Sequence, residues 1–96
     1  MAFRVLYHPA VVSEDIPRLD PTARKRLRAA IGERLTSQPH RFGKPLRATH
    51  AGLWVLRVGS YRVVYTIERD EVWVLRIGHR REVYAARPRR MPQPGV

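Results

Sequence analysis

The stretch Leu53-Trp54-Val55-Leu56-Arg57-Val58-Gly59-Ser60-Tyr61-Arg62-Val63-Val64-Tyr65-Thr66-Ile67 decides the fold. β-Branched and aromatic residues suit a pleated, half-buried surface. A two-residue connection with Gly first has the type II′ hairpin pattern. Two strands joined at Gly59-Ser60 have their register fixed by the turn: Val58 opposes Tyr61, and Arg57 opposes Arg62. Directly opposed residues project from one face with Cβ atoms about 4.5–5.5 Å apart, where like charges destabilise. A bound phosphate, an acid of a partner protein, or splaying of both guanidiniums into water would offset that repulsion.

Beyond this hairpin, Glu68 to Glu71 marks a turn, and Val72-Trp73-Val74-Leu75-Arg76-Ile77-Gly78 reads as a further strand. If Trp73, Leu75 and Ile77 face the core, Arg76 joins Arg57 and Arg62 on the open face. A one-residue slip reverses this, and the sequence leaves both registers open. His79, Arg80, Arg81, Glu82, Val83 and Tyr84 follow at the strand end.

On the other side, residues 3–8 read as a short strand. Pro9 suits a first helical position, and Val12, Ile16 and Leu19 share one helical face. Pro17 should kink or split that segment. Asp20-Pro21 has an N-cap acid followed by Pro at N1. Ala23, Leu27, Ala30, Ile31 and Leu35 then form an apolar stripe, which Gly32 weakens by about 1 kcal/mol and Pro39 should stop. Glu14, Asp15 and Glu33 read as solvated surface charges. Residues 38–51 read as a loop carrying Arg41, Lys44 and Arg47. The order β-α-α-β-β-β implies an α+β fold, with two N-terminal helices on a mostly antiparallel four-stranded sheet. Residues 1–86 are expected to form one domain, and the Pro/Arg-rich residues 87–96 a poorly ordered tail.

Lys plus Arg number 19 against 8 acids in 96 residues, a formal net charge of +11. A small soluble domain usually carries a magnitude of about 2–8. The excess points to a polyanionic partner: nucleic acid, an anionic membrane or an acidic protein. Only Lys25 and Lys44 are lysines. Arginine's planar fork suits bidentate phosphate binding, although a GC-rich genome produces the same bias. Cysteine is absent, which excludes disulfides and Cys-based zinc sites. Met1-Ala2-Phe3-Arg4-Val5-Leu6 lacks the pattern of a signal peptide, and no apolar run approaches the roughly 20 residues of a membrane span. A cytoplasmic location is expected.

A metal-free ribonuclease needs a base for the ribose 2′-OH proton, an acid for the leaving 5′-oxygen, and cations for the phosphoryl charge. His79 is the group best suited to proton transfer near neutrality. Tyr84 could take part only if its neighbours move it far from its reference value of about 10. Arginine stays charged and acts electrostatically. A His and a Tyr after a strand serve structure at least as readily as chemistry. His8, His40, His50 and His79 lack metal-ligand spacing, and neither a Gly-rich phosphate loop nor a His-Glu-x-x-His motif occurs. No metal and no cofactor are expected.

Three segments carry a resemblance: Gly43-Lys44-Pro45-Leu46-Arg47, then Gly52 to Tyr65 through the hairpin, then Ile77-Gly78-His79-Arg80-Arg81-Glu82-Val83-Tyr84. Together they give a K-x-L-R loop, G-x-W-x-x-R-x-G-x-Y-R and H-R-R-x-x-Y. The chain resembles the RelE/ParE toxin superfamily over residues 3–86. The resemblance implies a RelE-like, microbial RNase-like fold and a cognate acidic, RelB-like antitoxin that masks the basic face. In the RelE branch the toxin enters the ribosomal A site and cleaves messenger RNA without a metal. The resemblance maps catalytic roles onto Arg57, Arg62, Arg80 and Tyr84, and His79 falls where related toxins carry a basic or titratable residue. Lys44 and Arg47 sit in a basic loop suited to RNA contact, and RNA binding is expected to rest on Arg41, Lys44, Arg47, Arg76 and Arg81. Two positions depart from the pattern. Val55 stands where RNA-cutting members often have Lys or Arg, and Ser60 where Asp is common. The first keeps open the ParE alternative, a toxin that poisons DNA gyrase and is not a nuclease. The charge alone would also allow an inactive nucleic-acid-binding domain.

Overall fold

Strands β3 (Leu53–Val58) and β4 (Tyr61–Glu68) pair antiparallel, with Val58 opposite Tyr61 and Arg57 opposite Arg62. Gly59 is at φ +60° and Ser60 is not at positive φ, as a type II′ turn requires. This is a computed structural model describing residues 2–46 and 52–83. Strand β5 (Glu71–His79) pairs antiparallel with β4, and β1 (Arg4–Tyr7) lies parallel beside β5. On the far edge β2 (Lys44–Pro45) pairs antiparallel with β3, giving the order β1-β5-β4-β3-β2.

The sheet therefore has five strands where four are expected from sequence. The additional strand is two residues long, too short for any alternation to show. Its Pro45 lacks a ladder donor and is tolerated because β2 lies on the edge. The same 38–51 stretch also holds α2 (Pro39–Phe42). Pro39 opens this short helix instead of ending the previous one, since a first-turn N–H has no helical partner to lose.

Between β1 and β2 the chain forms a helical hairpin. A π-helical turn (Val11–Asp15) passes into a 3₁₀ turn (Ile16–Arg18) where Pro17 interrupts the ladder. Helix α1 (Pro21–Ala30) starts at Asp20, whose side chain accepts the Ala23 N–H at 2.8 Å, and continues as a π-helical turn (Ile31–Leu35). Its stripe of Ala23, Leu27, Ala30, Ile31 and Leu35 is buried against Leu56, Val58, Val63, Tyr65, Val72, Val74 and Ile77 of the sheet. No described helix is long and apolar enough to cross a membrane.

Val74 and Ile77 both face the helices although they are three residues apart. A bulge in β5 explains this: Val74 opposes Tyr65, Arg76 opposes Val64, and Leu75 is the extra residue. Trp73 consequently turns to the face away from the helices, opposite Thr66. Simple alternation would have put Trp73 and Ile77 on one face.

Asp15 is not a solvated charge. It is buried, and its Oδ2 accepts the Ile77 N–H at 2.9 Å. Strand β1 ends opposite Val74, so Asp15 supplies the acceptor that a longer β1 would have offered. A buried backbone donor left unpaired would cost roughly 1–3 kcal/mol.

Candidate nucleic-acid interface

The face of the sheet away from the helices carries two adjacent rows of cations. The first row runs Lys44-Val55-Val64-Arg76 across β2, β3, β4 and β5, and the second runs Arg57-Arg62-Gly78 across β3, β4 and β5. Residues two apart along a strand point the same way about 6.8 Å apart, so the rows lie side by side. Val55 and Val64 are buried and form an apolar floor between Lys44 and Arg76. Lys44 lies directly across from Val55, one strand from the position where the sequence lacks a cation. The acids that the strands place on this face, Glu68 and Glu71, lie at its far end. Glu68 is six residues along β4 from Arg62, about 20 Å.

The hairpin turn orders two of the expected catalytic arginines. Arg62 Nη1 donates to the Gly59 carbonyl and to the Tyr61 carbonyl, both at 2.9 Å. The Arg80 backbone N–H donates to the Ser60 carbonyl at 2.8 Å. The chain then turns tightly, with the Glu82 and Val83 N–H groups on the His79 carbonyl at 2.8 and 2.9 Å. Val83 is buried and would stand 3.6 Å from a Cβ placed on Gly78. The end of β5 is thereby folded toward the Arg62 row, with Arg80 and Arg81 exposed at the hairpin end.

His79 does not join the rows. It pairs with Tyr61, so the register puts it on the helix side, opposite Arg57, Arg62 and Arg76. Its ring meets Tyr61 edge-on with centroids 6.0 Å apart, and its Nδ1 accepts the Arg81 N–H at 3.2 Å. That bond occupies the Nδ1 lone pair and favours the neutral tautomer that carries its proton on Nε2. Arg41 is separate as well. Its helix α2 is tied to the helix side by the Tyr65 hydroxyl donating to the Pro39 carbonyl at 2.6 Å, and Arg41 Nη1 donates to Gln38 Oε1. Arg47 and Tyr84 lie outside the described residues, as do residues 87–96.

Two other tyrosines have raised pKa values. Burial pushes Tyr65 up to about 12, and burial raises Tyr7 against the opposing charge of Arg28. Both stay protonated at neutral pH and belong to the helix-side core.

Residues 5–84 match the family model of the ParE toxin of type II toxin–antitoxin system parDE. Toxin RelE of Mycobacterium tuberculosis is 38% identical over 65 residues, covering 65% of this chain and 67% of that protein. Among solved structures, a chain of the toxin–antitoxin complex RelBE2 from M. tuberculosis superposes with a TM-score of 0.78 at 30% identity. The match covers 82% of this chain and 99% of that one. A mutant of E. coli toxin RelE in the free state gives a TM-score of 0.69 at 25% identity, covering 88% and 93%. The RelB-RelE antitoxin-toxin complex from Methanococcus jannaschii, at 23% identity and a TM-score of 0.67 over 86% and 99%, shares the fold.

Proposed function

This chain belongs to the RelE/ParE superfamily of type II toxin–antitoxin toxins, and from that premise we propose that it is a metal-independent, ribosome-dependent messenger-RNA endoribonuclease that stops translation. The observation that carries this reading is the double row of cations on the open face, with Lys44 directly across the strand from Val55. A row of cations beside Arg62, whose guanidinium the turn carbonyls hold in place, suits a phosphodiester. Preorganised cations in a site with little competing water stabilise developing phosphoryl charge without reorganising.

In this reading Arg57, Arg62 and Arg80 hold the scissile phosphate and neutralise the charge that builds on its oxygens. Tyr84 transfers a proton, and His79 supports the site from the helix side by holding the Arg81 N–H. Lys44, Arg76 and Arg81, with Arg47 and Arg41, bind flanking phosphates and ribosomal RNA. An acidic RelB-like antitoxin covers the same face and neutralises part of the +11 charge.

Two observations favour a second reading, a gyrase-directed toxin that cuts nothing: the matched family model is named for ParE, and Val55 stands in β3 where RNA-cutting members often have a cation. Induction of the chain in cells separates the two. The ribonuclease reading expects amino-acid incorporation to cease within minutes while thymidine incorporation continues. A DNA-damage response with filamentous growth and sustained protein synthesis overturns it.

A further inference from the structure

The cations on α1 have different fates. Arg24 Nη2 is held by the Ile16 and Leu19 carbonyls at 3.3 and 3.2 Å, and Arg28 lies near enough to Tyr7 to oppose the rise in its pKa. Arg26 reaches across to the hairpin turn instead. Its Nη1, Cζ and Nη2 stand 3.2, 3.3 and 3.3 Å from the point that a Cβ on Gly59 would occupy. Three nearly equal distances mean that the guanidinium lies flat over the glycine, with its N–H edges pointing sideways. A residue larger than glycine would crowd that plane, and φ +60° already disfavours one.

The same glycine anchors a second guanidinium, because its carbonyl accepts from Arg62 Nη1 at 2.9 Å. Two arginines from different elements therefore converge on one turn. No hydrogen bond or ion pair holds the Arg26 guanidinium among the described residues. An anion at the turn would lie within reach of both positive charges. Flat stacking on backbone fixes the fork while leaving its donors unused, an arrangement suited to bidentate phosphate contact.

We propose that Arg26 forms a phosphodiester-binding site at the Gly59-Ser60 turn. The site extends the track for one single-stranded RNA from the open face over the end of the sheet. It rests on the nucleic-acid reading above but not on cleavage. Adjacent Lys25 is also exposed, and a helix turns about 100° per residue, so Lys25 points away from the turn and provides a charge-matched control.

The test is equilibrium binding of the full chain to a fully 2′-O-methylated 15-nucleotide RNA, which cannot be cut, across a salt series. Each phosphate contact on a single strand contributes about 0.7 to the slope of log affinity against log salt. Arg26→Gln should lower the slope by that amount, so its affinity deficit should shrink about 2.6-fold between 50 and 200 mM salt. Arg26→Lys should restore the slope, and Lys25→Gln should leave it unchanged. A purely structural arginine would change the melting temperature and not the slope. Equal slopes for Arg26→Gln and Lys25→Gln overturn this site alone. Failure of the wild type to bind this free RNA at any salt also overturns the site, and leaves the ribosome-dependent reading to its own test in cells.

Discussion

Gly43 and Tyr65 show how much of this fold depends on single close approaches. A Cβ on Gly43 would lie 1.7 Å from the Tyr65 hydroxyl oxygen and 2.7 Å from Cζ. Gly43→Ala should therefore destabilise by about 2–3 kcal/mol, the cost of forcing backbone and side chain apart in a packed core. Tyr65→Phe removes the nearer clash but leaves the Pro39 carbonyl with only the long 3.4 Å bond from the Gly43 N–H, a loss of about 1 kcal/mol. The double variant should be less destabilised than the sum of the two, and denaturant unfolding of all four proteins measures that coupling. Tyr65 also predicts a pH effect. Its folded pKa of about 12 lies above the ordinary value of 10.0, so its stabilising contribution is complete below pH 10 and lost as pH rises toward 12. Tyr7 is shifted the same way. The melting temperature should fall across that window, and Tyr65→Phe should fall less steeply; equal slopes would contradict the assignment. None of this was legible in sequence, because Gly43 and Tyr65 meet only once α2 is tied to the sheet.

At the scale of elements, the hairpin and α1 were readable because their signals are local. Gly59-Ser60 carries its own turn type, and Asp20-Pro21 its own cap. The bulge in β5 has no such mark. Leu75 is an ordinary strand residue, and only the joint burial of Val74 and Ile77 against the helices reveals the change of parity. Neither of the two registers open to strict alternation describes this strand: the bulge separates Trp73 from Ile77 while Arg76 still reaches the Arg62 face. Asp15 was misread for a related reason: its partner is a backbone N–H 62 residues away, on the part of β5 that β1 does not cover. Asp15→Ala should destabilise by roughly 1–3 kcal/mol by leaving that buried N–H unsatisfied, whereas Asp15→Asn keeps an acceptor and should cost less. Amide exchange at Ile77 should speed up in the alanine variant more than exchange at Val63 across the ladder. A uniform increase would mean that Asp15 stabilises the whole domain without a specific hold on this edge.

Across the whole molecule, charge and topology act together. The composition announced a polyanionic partner, and the turn register paired Arg57 with Arg62. Lys44 was expected at the surface as a loop residue, but its place in the row with Arg76 comes from β2, a strand too short to read, and Arg26 joins only through a long-range meeting of α1 with the hairpin. The same register removed His79 from the arginine face, so the proposed chemistry rests mainly on Arg57, Arg62, Arg80 and Tyr84. Arg62 is the most informative of these, because the turn carbonyls fix its guanidinium before substrate arrives. The decisive measurement is single-turnover cleavage of messenger RNA in the A site of programmed ribosomes at saturating protein. The account predicts that the wild type cuts, that Arg62→Ala cuts roughly 10²–10³-fold more slowly when fully bound, and that Arg62→Lys recovers little of the loss. A wild-type protein that leaves the messenger intact while inhibiting gyrase supercoiling at similar concentrations would contradict it.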